Sequence, residues 1–277
     1  MSQLRVAIQG EIGAYSEQAA RAYFQDNSAI IPHPTFKKLF DAVAQDKADF
    51  AVVPIENSLA GSVHENYDFL LEYKIPIIGE IILHISHNLM VYPGVKLEDI
   101  QRVISHPQAL GQCRHYLQTL GDVNIEPGYD TAGCAKLVRE KELKDTAAIA
   151  SKQAAGDYGL EIVASEIESN HENYTRFLIL AKEAAVPASG GKTSIVFSTK
   201  DIPGALFKSL AVFALRDINL IKIESRPLHG KPFSYYFYLD FEGNATEEAQ
   251  ANALNHLQEI TDFLQVLGSF QPGETIR

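Results

Sequence analysis

Tryptophan and cysteine are scarce: the 277 residues include no tryptophan and only two cysteines, Cys113 and Cys134. A single pair of cysteines does not make a disulfide framework, and neither cysteine stands at the spacing of a metal site. Both lie in amphipathic, helix-like stretches, which predicts buried thiols in a reducing compartment. We therefore expect neither structural disulfides nor a metal centre.

Basic residues are also in deficit, with 24 Lys and Arg against 35 Asp and Glu and a formal net charge of -11. Nucleic-acid binding depends on neutralising phosphates with basic side chains, so this balance argues against a nucleic-acid partner. From Lys192 onward there are eight basic and ten acidic residues, so most of the negative charge lies before it. An anion bound in that first part would need a few local cations and helix N-termini.

No hydrophobic run is long enough to span a membrane. The most apolar region, Ile75 to Tyr92, is interrupted by Glu80, His84 and His87. The first residues lack the basic flank and apolar core of a signal peptide. We expect a soluble protein in the cytoplasm, with no membrane partner.

Strand-like and helix-like segments alternate along the first part of the chain. Phe50 to Ile55 is a continuous apolar run, as in a strand covered on both faces, and Ser16 is a candidate N-cap for the first helix. The alternation continues to about Glu166 and favours an α/β fold with a mostly parallel sheet.

The last 80 or so residues form a separate pattern. Residues 184–192 include Pro187 and Ser189-Gly190-Gly191, a composition typical of a linker. The segments that follow it have the order βαββαβ, which predicts a four-stranded sheet with two helices on one face.

Three segments of the first part carry polar residues at strand ends, where α/β proteins bind ligands. They are Glu56-Asn57-Ser58, Ser105-His106 and Thr175-Arg176. Each has a structural alternative: Ser58 as a helix cap, His106 as a turn residue, and Arg176 as the ion-pair partner of a nearby glutamate. The residues alone therefore indicate an α/β enzyme or binding protein with a small second domain.

Longer motifs around these residues occur in a specific order. They are Glu56-Asn57-Ser58, Ser105-His106-Pro107-Gln108-Ala109-Leu110 with Gln112, Asp130-Thr131-Ala132, and Asn173-Tyr174-Thr175-Arg176-Phe177. In this order they resemble the signatures of prephenate dehydratases. Gly204-Ala205-Leu206 and Glu224-Ser225-Arg226-Pro227 resemble the phenylalanine-sensing signatures of the ACT-type domain of that family. The resemblance runs from about Arg5 to Phe270, with departures at Ser169, where Asp or Asn is expected, and at Ile221.

The resemblance implies a two-lobed α/β catalytic region, similar to periplasmic binding proteins, followed by a ferredoxin-like ACT-type domain. The catalytic region would span residues 1–184, with one lobe at about 1–78 plus 170–184 and the other at 79–169. The chain would cross between lobes near residues 77–80 and 168–173. The regulatory domain would span residues 192–277. No chorismate-mutase region precedes Arg5, so we expect a monofunctional enzyme.

The resemblance also implies a reaction, the decarboxylative dehydration of prephenate to phenylpyruvate. It marks Thr175 as essential, and we expect its hydroxyl to donate a hydrogen bond to the leaving oxygen. Arg176 would hold a substrate carboxylate with two hydrogen bonds. Glu56 would supply a proton if burial raised its pKa. The remaining expected substrate-binding residues are Asn57, Ser58, Ser105, Gln112, Asn173 and Phe177. Aromatisation drives the step, so we expect no metal or organic cofactor.

The ACT-type signatures imply feedback inhibition by L-phenylalanine in a homodimer or homotetramer. The expected effector residues are Gly204, Ala205, Leu206, Asn219, Glu224, Ser225 and Arg226. Glu224 and Ser225, at a strand end, would take the ammonium group of the effector. Two alternatives stay open: arogenate dehydratase, which the motifs do not separate from prephenate dehydratase, and a non-catalytic sensor that binds a small acid.

Overall fold

The computed structural model describes residues 3–184, 189–228 and 230–277, and of Asp26 the backbone. The first elements are β1 (Leu4–Gln9), α1 (Tyr15–Phe24), β2 (Ser28–His33), α2 (Phe36–Ala44), β3 (Phe50–Asn57), β4 (Gly61–Ser62), α3 (His64–Tyr73) and β5 (Ile77–His84). They are followed by β6 (Asn88–Val91), β7 (Arg102–Ser105), α4 (Pro107–Gln112), α5 (Arg114–Gln118), β8 (Asn124–Pro127), α6 (Thr131–Glu140), β9 (Thr146–Ala150), α7 (Lys152–Tyr158), β10 (Glu161–Ala164) and β11 (Tyr174–Ala181). The last elements are β12 (Lys192–Thr199), α8 (Ala205–Ala214), β13 (Leu220–Pro227), β14 (Tyr235–Glu242), α9 (Glu248–Ile260), β15 (Thr261–Phe270) and β16 (Thr275–Ile276).

The first sheet has the strand order β16-β5-β11-β3-β1-β2, with β4 paired to β3. Strands β1, β2 and β3 are parallel and are joined through helices, which confirms the predicted α/β pattern. Ala51, Val52 and Val53 of β3 are fully buried, because this strand is covered on both faces.

The second sheet has the strand order β10-β6-β9-β7-β8. Strand β7 is parallel to β8 and β9, while β6 is antiparallel to both β9 and β10. The sheet is therefore mixed, and each of its faces carries a hydrophobic cluster. This sheet builds the second lobe of the predicted two-lobed region.

The chain passes between the two sheets twice. Strand β5 continues to His84, so the first passage lies at residues 85–87, later than the predicted residues 77–80. The second passage, at residues 165–173, agrees with the sequence prediction. The two segments bond to each other, from Ile85 N–H to the Asn173 carbonyl (2.8 Å) and from Ile167 N–H to the His87 carbonyl (2.9 Å).

Side chains fix the starts of two helices that matter below. Asp130 caps α6 by accepting the N–H of Gly133 (2.9 Å), and Ser151 caps α7 by accepting the N–H of Ala154 (3.0 Å). The predicted Ser16 cap is wrong, because α1 begins at Tyr15 and its N-cap is Ala14, whose side chain has no oxygen to accept a helix N–H. Ser16 lies instead in the first turn of α1.

The third sheet has the strand order β13-β14-β12-β15 and confirms the predicted βαββαβ order. Its strands pair antiparallel, and helices α8 and α9 pack on one face. Ile195, Phe197 and Phe241 of the sheet meet Phe213 and Leu257 of the helices. The predicted linker falls partly on residues 185–188, which lie outside the described residues.

The chain divides into two compact units. One consists of Met1–Val63, Ile81–Phe177 and Thr275–Arg277, and the other of His64–Glu80 and Leu178–Glu274. The second unit takes in α3, which starts much earlier in the chain than the predicted regulatory domain. Within this unit the hydroxyl of Tyr238 donates to the carbonyl of Tyr67 (2.7 Å), and Arg226 pairs with Asp68 (2.7 Å).

Candidate active site

A cavity of about 440 Å³ opens in the first compact unit and is lined by residues from both sheets. Its volume is in the range of small-molecule sites. The polar lining includes Tyr15, Ser16, Asn57, Ser62, His87, His106, Gln108, Gln112, Asp130, Thr131 and Thr175. Among the described residues that line it, none is a lysine or an arginine.

Asn57 is the centre of the hydrogen bonding in this cleft. Its Oδ1 accepts the backbone N–H groups of Leu59 (3.1 Å) and Ala60 (2.9 Å). A backbone N–H is always a donor, so the orientation of the Asn57 amide is fixed by these two bonds. Its Nδ2 donates to Asn173 Oδ1 (2.7 Å) and to Thr175 Oγ1 (3.0 Å). The Thr175 hydroxyl oxygen therefore accepts from Asn57, and its proton points away from this donor toward another acceptor.

The bonding continues from Asn173 toward the second sheet. Asn173 Nδ2 donates to Gln112 Oε1 (3.2 Å), and Gln112 Nε2 lies 3.5 Å from Asn57 Oδ1. His87 Nε2 is 2.8 Å from Gln112 Oε1, and His87 Nδ1 is 2.8 Å from the Tyr15 hydroxyl. Six side chains from both sheets are thus joined by hydrogen bonds.

Thr175 and Phe177 line the cleft, but Arg176 between them does not. Successive side chains of a strand point to opposite faces, so the position of Thr175 and Phe177 in β11 places Arg176 on the other face. The expectation that Arg176 holds a substrate carboxylate in this cleft is therefore not supported by its position.

Three more of the expected site residues lie off the cleft. Glu56 pairs with Ser62 across β3 and β4 and is not among the residues that line the cavity, so its role as proton donor stays a prediction. Ser58 Oγ donates to the Glu172 carbonyl (2.9 Å) and accepts the N–H of Tyr174 (2.9 Å). It therefore joins the loop after β3 to the start of β11 and the segment before it. Ser105 is fully buried and donates to the Ile149 carbonyl (2.6 Å).

The cleft also contains titratable groups to which the sequence analysis gave no role. Burial lowers the pKa of His87 and of His106, and it raises the pKa of Asp130 and of Tyr15. His106 and Asp130 were present in the motifs quoted above, which is a signal that could have found them. His87 had no such signal, since it appeared only as a break in an apolar run.

The loop between β1 and α1 closes one side of the cleft within this unit. Ser151 Oγ donates to the Gly13 carbonyl (2.7 Å), and a side-chain carbon at Gly13 would stand 2.8 Å from Ala154 Cα. Gly13 also has a φ of +85°, so only glycine fits this turn without strain. Glu11 accepts from the Tyr129 hydroxyl (2.9 Å) and from Lys136 (3.0 Å), which ties the loop to α6.

The expected effector residues lie in the second compact unit. Gly204 is the N-cap of α8, with a φ of +74°, Ala205 begins the helix, and Leu206 packs against the core. Asn219 Nδ2 donates to Glu242 Oε1 (2.9 Å).

Glu224 and Ser225 do not share a face of β13. Glu224 pairs across the sheet with Tyr238, and Ser225 pairs with Phe237, which contacts the α8–α9 core. Glu224 lies 3.5 Å from His64 of α3, and Arg226 is bonded to Asp68 of the same helix. One protomer therefore does not present Glu224 and Ser225 together to one ammonium group.

Both cysteines are buried free thiols, as predicted. Burial raises the pKa of Cys113 to about 12 and that of Cys134 to about 11, so neither is a reactive thiolate at neutral pH. Across residues 3–184, 189–228 and 230–277, no three His, Cys, Asp or Glu side chains are grouped as metal ligands. In the same part of the chain, no helix is both long enough and apolar enough to cross a bilayer.

Known proteins are similar to this chain over nearly its whole length. A family model described as prephenate dehydratase matches residues 6–185. Arogenate dehydratase/prephenate dehydratase 2 of Arabidopsis thaliana is 50% identical over 286 residues, which cover 99% of this chain and 74% of the relative.

Two solved structures are similar over both compact units. Prephenate dehydratase of Arthrobacter aurescens in complex with L-Phe has a TM-score of 0.87 and 32% identity, covering 97% of this chain and 90% of that one. A protein described as GqqA, a novel type of quorum quenching acylase, has a TM-score of 0.89 and 34% identity, covering 97% and 98%. On the family match and the half-identical relative together, the chain belongs to the prephenate dehydratase family.

Proposed function

We propose that the chain is a lyase that converts prephenate to phenylpyruvate and is feedback-inhibited by L-phenylalanine. In this reaction the electrons of the ring–carboxylate bond enter the ring as carbon dioxide departs. The electrons of the ring–oxygen bond leave with hydroxide. The ring becomes aromatic, which supplies the driving force, and the enzyme has to assist the departing oxygen.

The observation that carries the proposal is the direction of the hydrogen bonds at Thr175. The Thr175 hydroxyl lies in the cleft and accepts from Asn57 Nδ2, so its proton is left to donate to the leaving oxygen. A donor aimed at a developing charge contributes most in the transition state, where that charge is largest. Thr175 is only 9% exposed, so bulk water competes little for this bond.

The dianionic substrate would be held without a lining lysine or arginine. Helix α1 begins at the cleft without a side-chain cap, and the start of a helix favours an anion through its free N–H groups and its dipole. The start of α6 is already capped by the Asp130 carboxylate. Ser16, Ser62 and Thr131 add neutral hydroxyl donors. These neutral groups hold a carboxylate by hydrogen bonds, so its binding does not require a positively charged side chain in the lining.

Arogenate is the alternative substrate, and it differs from prephenate by an ammonium group in place of a keto group. The Arabidopsis relative carries both activities in its name, so the family match does not choose between them. Initial rates of both substrates, measured with the same protein preparation, decide this point. A protein that binds either acid without forming product would be the non-catalytic sensor.

Regulation by phenylalanine is proposed for residues 192–277 on the ACT-type order of their elements and on the L-Phe complex of the Arthrobacter relative. The domain boundaries, a dimer or tetramer, and a cytoplasmic location stay predictions from the sequence. The printed name of the Arabidopsis relative places that protein in the chloroplast.

The test is phenylpyruvate formation by wild type, Thr175→Val and Thr175→Ser, with Thr119→Val on the surface as the matched control. Removing one donor to a developing oxyanion lowers kcat by about 100- to 1000-fold. We expect that loss in Thr175→Val, activity retained in Thr175→Ser, and no change in the control. A folded Thr175→Val enzyme with the wild-type kcat would remove Thr175 from the reaction.

A further inference from the structure

His87 is a nearly fully buried side chain whose ring nitrogens are both within hydrogen-bond distance of other side chains. It is 2% exposed, with Nδ1 2.8 Å from the Tyr15 hydroxyl and Nε2 2.8 Å from Gln112 Oε1. Its backbone N–H donates to Glu168 Oε2 (2.8 Å). The imidazole therefore joins α1 of the first sheet to α4 of the second.

The backbone N–H groups of Leu59 and Ala60 determine, through a series of hydrogen bonds, which nitrogen of the His87 ring carries the proton. Leu59 and Ala60 donate to Asn57 Oδ1, so Asn57 Nδ2 must be the donor to Asn173 Oδ1. Asn173 Nδ2 then donates to Gln112 Oε1, so that oxygen is an acceptor. Only a nitrogen that carries hydrogen can approach an acceptor at 2.8 Å, so His87 bears its proton on Nε2.

The other ring nitrogen faces the Tyr15 hydroxyl. That hydroxyl has two acceptors within reach, His87 Nδ1 at 2.8 Å and the Ser86 carbonyl at 2.7 Å. With the proton of a neutral ring on Nε2, Nδ1 is an acceptor and Tyr15 donates to either group. The two nitrogens thus have separate tasks, one toward Gln112 and one toward Tyr15.

We propose that His87 is a positioning residue for the dehydration, which rests on the proposed function. Through Nε2–H it holds Gln112 Oε1 as the acceptor for Asn173, and Asn173 in turn holds the amide of Asn57 that engages the Thr175 oxygen. His87 acts through these side chains and does not touch the reacting atoms. Its removal leaves the Gln112 amide free to rotate, and the Thr175 proton loses its fixed direction.

A general-acid role for His87 is the competing explanation. Its ring faces Tyr15 from α1 and Gln112 from α4. Glu168, from the segment before β11, accepts the backbone N–H of His87 and acts electrostatically on its ring, and Cys113 and Glu168 act electrostatically on Tyr15. Both nitrogens are engaged with protein groups, which leaves no proton for a substrate. Burial lowers the pKa of the ring, which disfavours the protonated form that a general acid needs.

Two amide substitutions separate the tasks of the two nitrogens. In His87→Gln the side-chain amide reaches the place of Nε2 and restores a donor to Gln112, whereas in His87→Asn it reaches only the place of Nδ1. We expect His87→Gln to keep kcat within about threefold. We expect His87→Asn to lose about 10- to 100-fold in kcat, as when a buried partner is left unsatisfied, with KM changed less than threefold. His115→Gln on α5 is the matched control and stays at the wild-type rate.

Equal kcat in His87→Asn and His87→Gln overturns the positioning role, provided that wild type forms phenylpyruvate. A wild type that forms none overturns the proposed function, so the two failures are distinguishable. Nitrogen-15 imidazole spectra of the wild type test the direction of the bonds without either variant having to fold. The Nε2–H tautomer is expected, and an Nδ1–H tautomer overturns the inference. If kcat of the wild type fell tenfold per pH unit as the pH rose, and that of His87→Gln did not, His87 would be a general acid instead.

Discussion

Replacing Asn57 by aspartate changes one group, the Nδ2 amide to a carboxylate oxygen, and leaves the side-chain shape intact. The lost group donates to Asn173 Oδ1 and Thr175 Oγ1, at 2.7 and 3.0 Å. The bond to Asn173 Oδ1 disappears, a loss of about 0.5–1.5 kcal/mol, whereas the bond to Thr175 is replaced by one that the Thr175 hydroxyl donates. The carboxylate oxygen then faces Asn173 Oδ1 in a buried site, because Asn57 is 5% exposed, and this adds about 1–3 kcal/mol. We expect Asn57→Asp to lower the unfolding free energy by about 1.5–4.5 kcal/mol.

The kinetic effect follows from where the Thr175 proton goes. The hydroxyl turns toward the introduced carboxylate, because a charged acceptor makes the stronger hydrogen bond. Its proton is then unavailable to the leaving oxygen, and kcat falls by about 100- to 1000-fold. Lowering the pH protonates the carboxylate and returns a donor to the position of Nδ2. The variant should therefore regain activity toward acidic pH, unlike the wild type.

The assay is phenylpyruvate formation from pH 5.5 to 8.5, with urea unfolding of the same preparations. Asn170→Asp is the matched control: it adds the same charge in a nearby loop, where the side-chain oxygen accepts the N–H of Glu172 (2.9 Å) and an aspartate can do the same. A folded Asn57→Asp enzyme with kcat within threefold of wild type at pH 8 would refute the proposed direction of the bonds at Thr175.

Three further outcomes follow from the structure. Arg176→Gln should change KM less than threefold, because Arg176 lies on the sheet face away from the cleft; a tenfold rise in Michaelis kinetics would return it to the substrate. Lys192→Met should lower the unfolding free energy in urea by about 3–5 kcal/mol, because it leaves the buried Glu80 carboxylate (2.8 Å away) without its ammonium partner. Lys96→Met, in an exposed pair, should cost less than about 1 kcal/mol, and equal losses would contradict this. Folding lowers the pKa of His87, so the contribution of this residue to the unfolding free energy is present above about pH 6.5 and is lost as the pH falls below that value. The melting temperature of His87→Gln should therefore fall less steeply with decreasing pH than that of the wild type.

The element order and the convergence of the site could be predicted from the sequence. Asn57 ends β3 and Thr175 lies at the start of β11, both in one sheet, and Gln112 belongs to a motif that follows a strand of the other sheet. Polar residues at strand ends collect at one edge, and all three meet in the cleft.

The motifs do not predict toward which face of its strand each side chain points, or which tertiary partner it meets. Arg176 and Thr175 are neighbours in sequence, but the alternation of β11 turns them to opposite faces. The hydroxyl of Ser105 is satisfied by a carbonyl of the neighbouring strand, which depends on tertiary pairing. The contact between Tyr15 and His87 joins residues 72 positions apart, and no local pattern marks it.

Helix α3 makes the enzyme difficult to dissect. It begins at His64, one peptide bond after Val63 of the cleft lining, yet its Tyr67 and Asp68 are bonded to β14 and β13 of the second unit. A chain cut at the predicted linker would keep α3 and lose β14, whose Tyr238 contacts Tyr67, a side chain that is 4% exposed. An ACT-type domain exchanged between relatives would meet the same difficulty unless α3 travelled with it. The compact unit that contains the expected effector residues also includes α3, so the unit of exchange is longer than the domain that the sequence suggests.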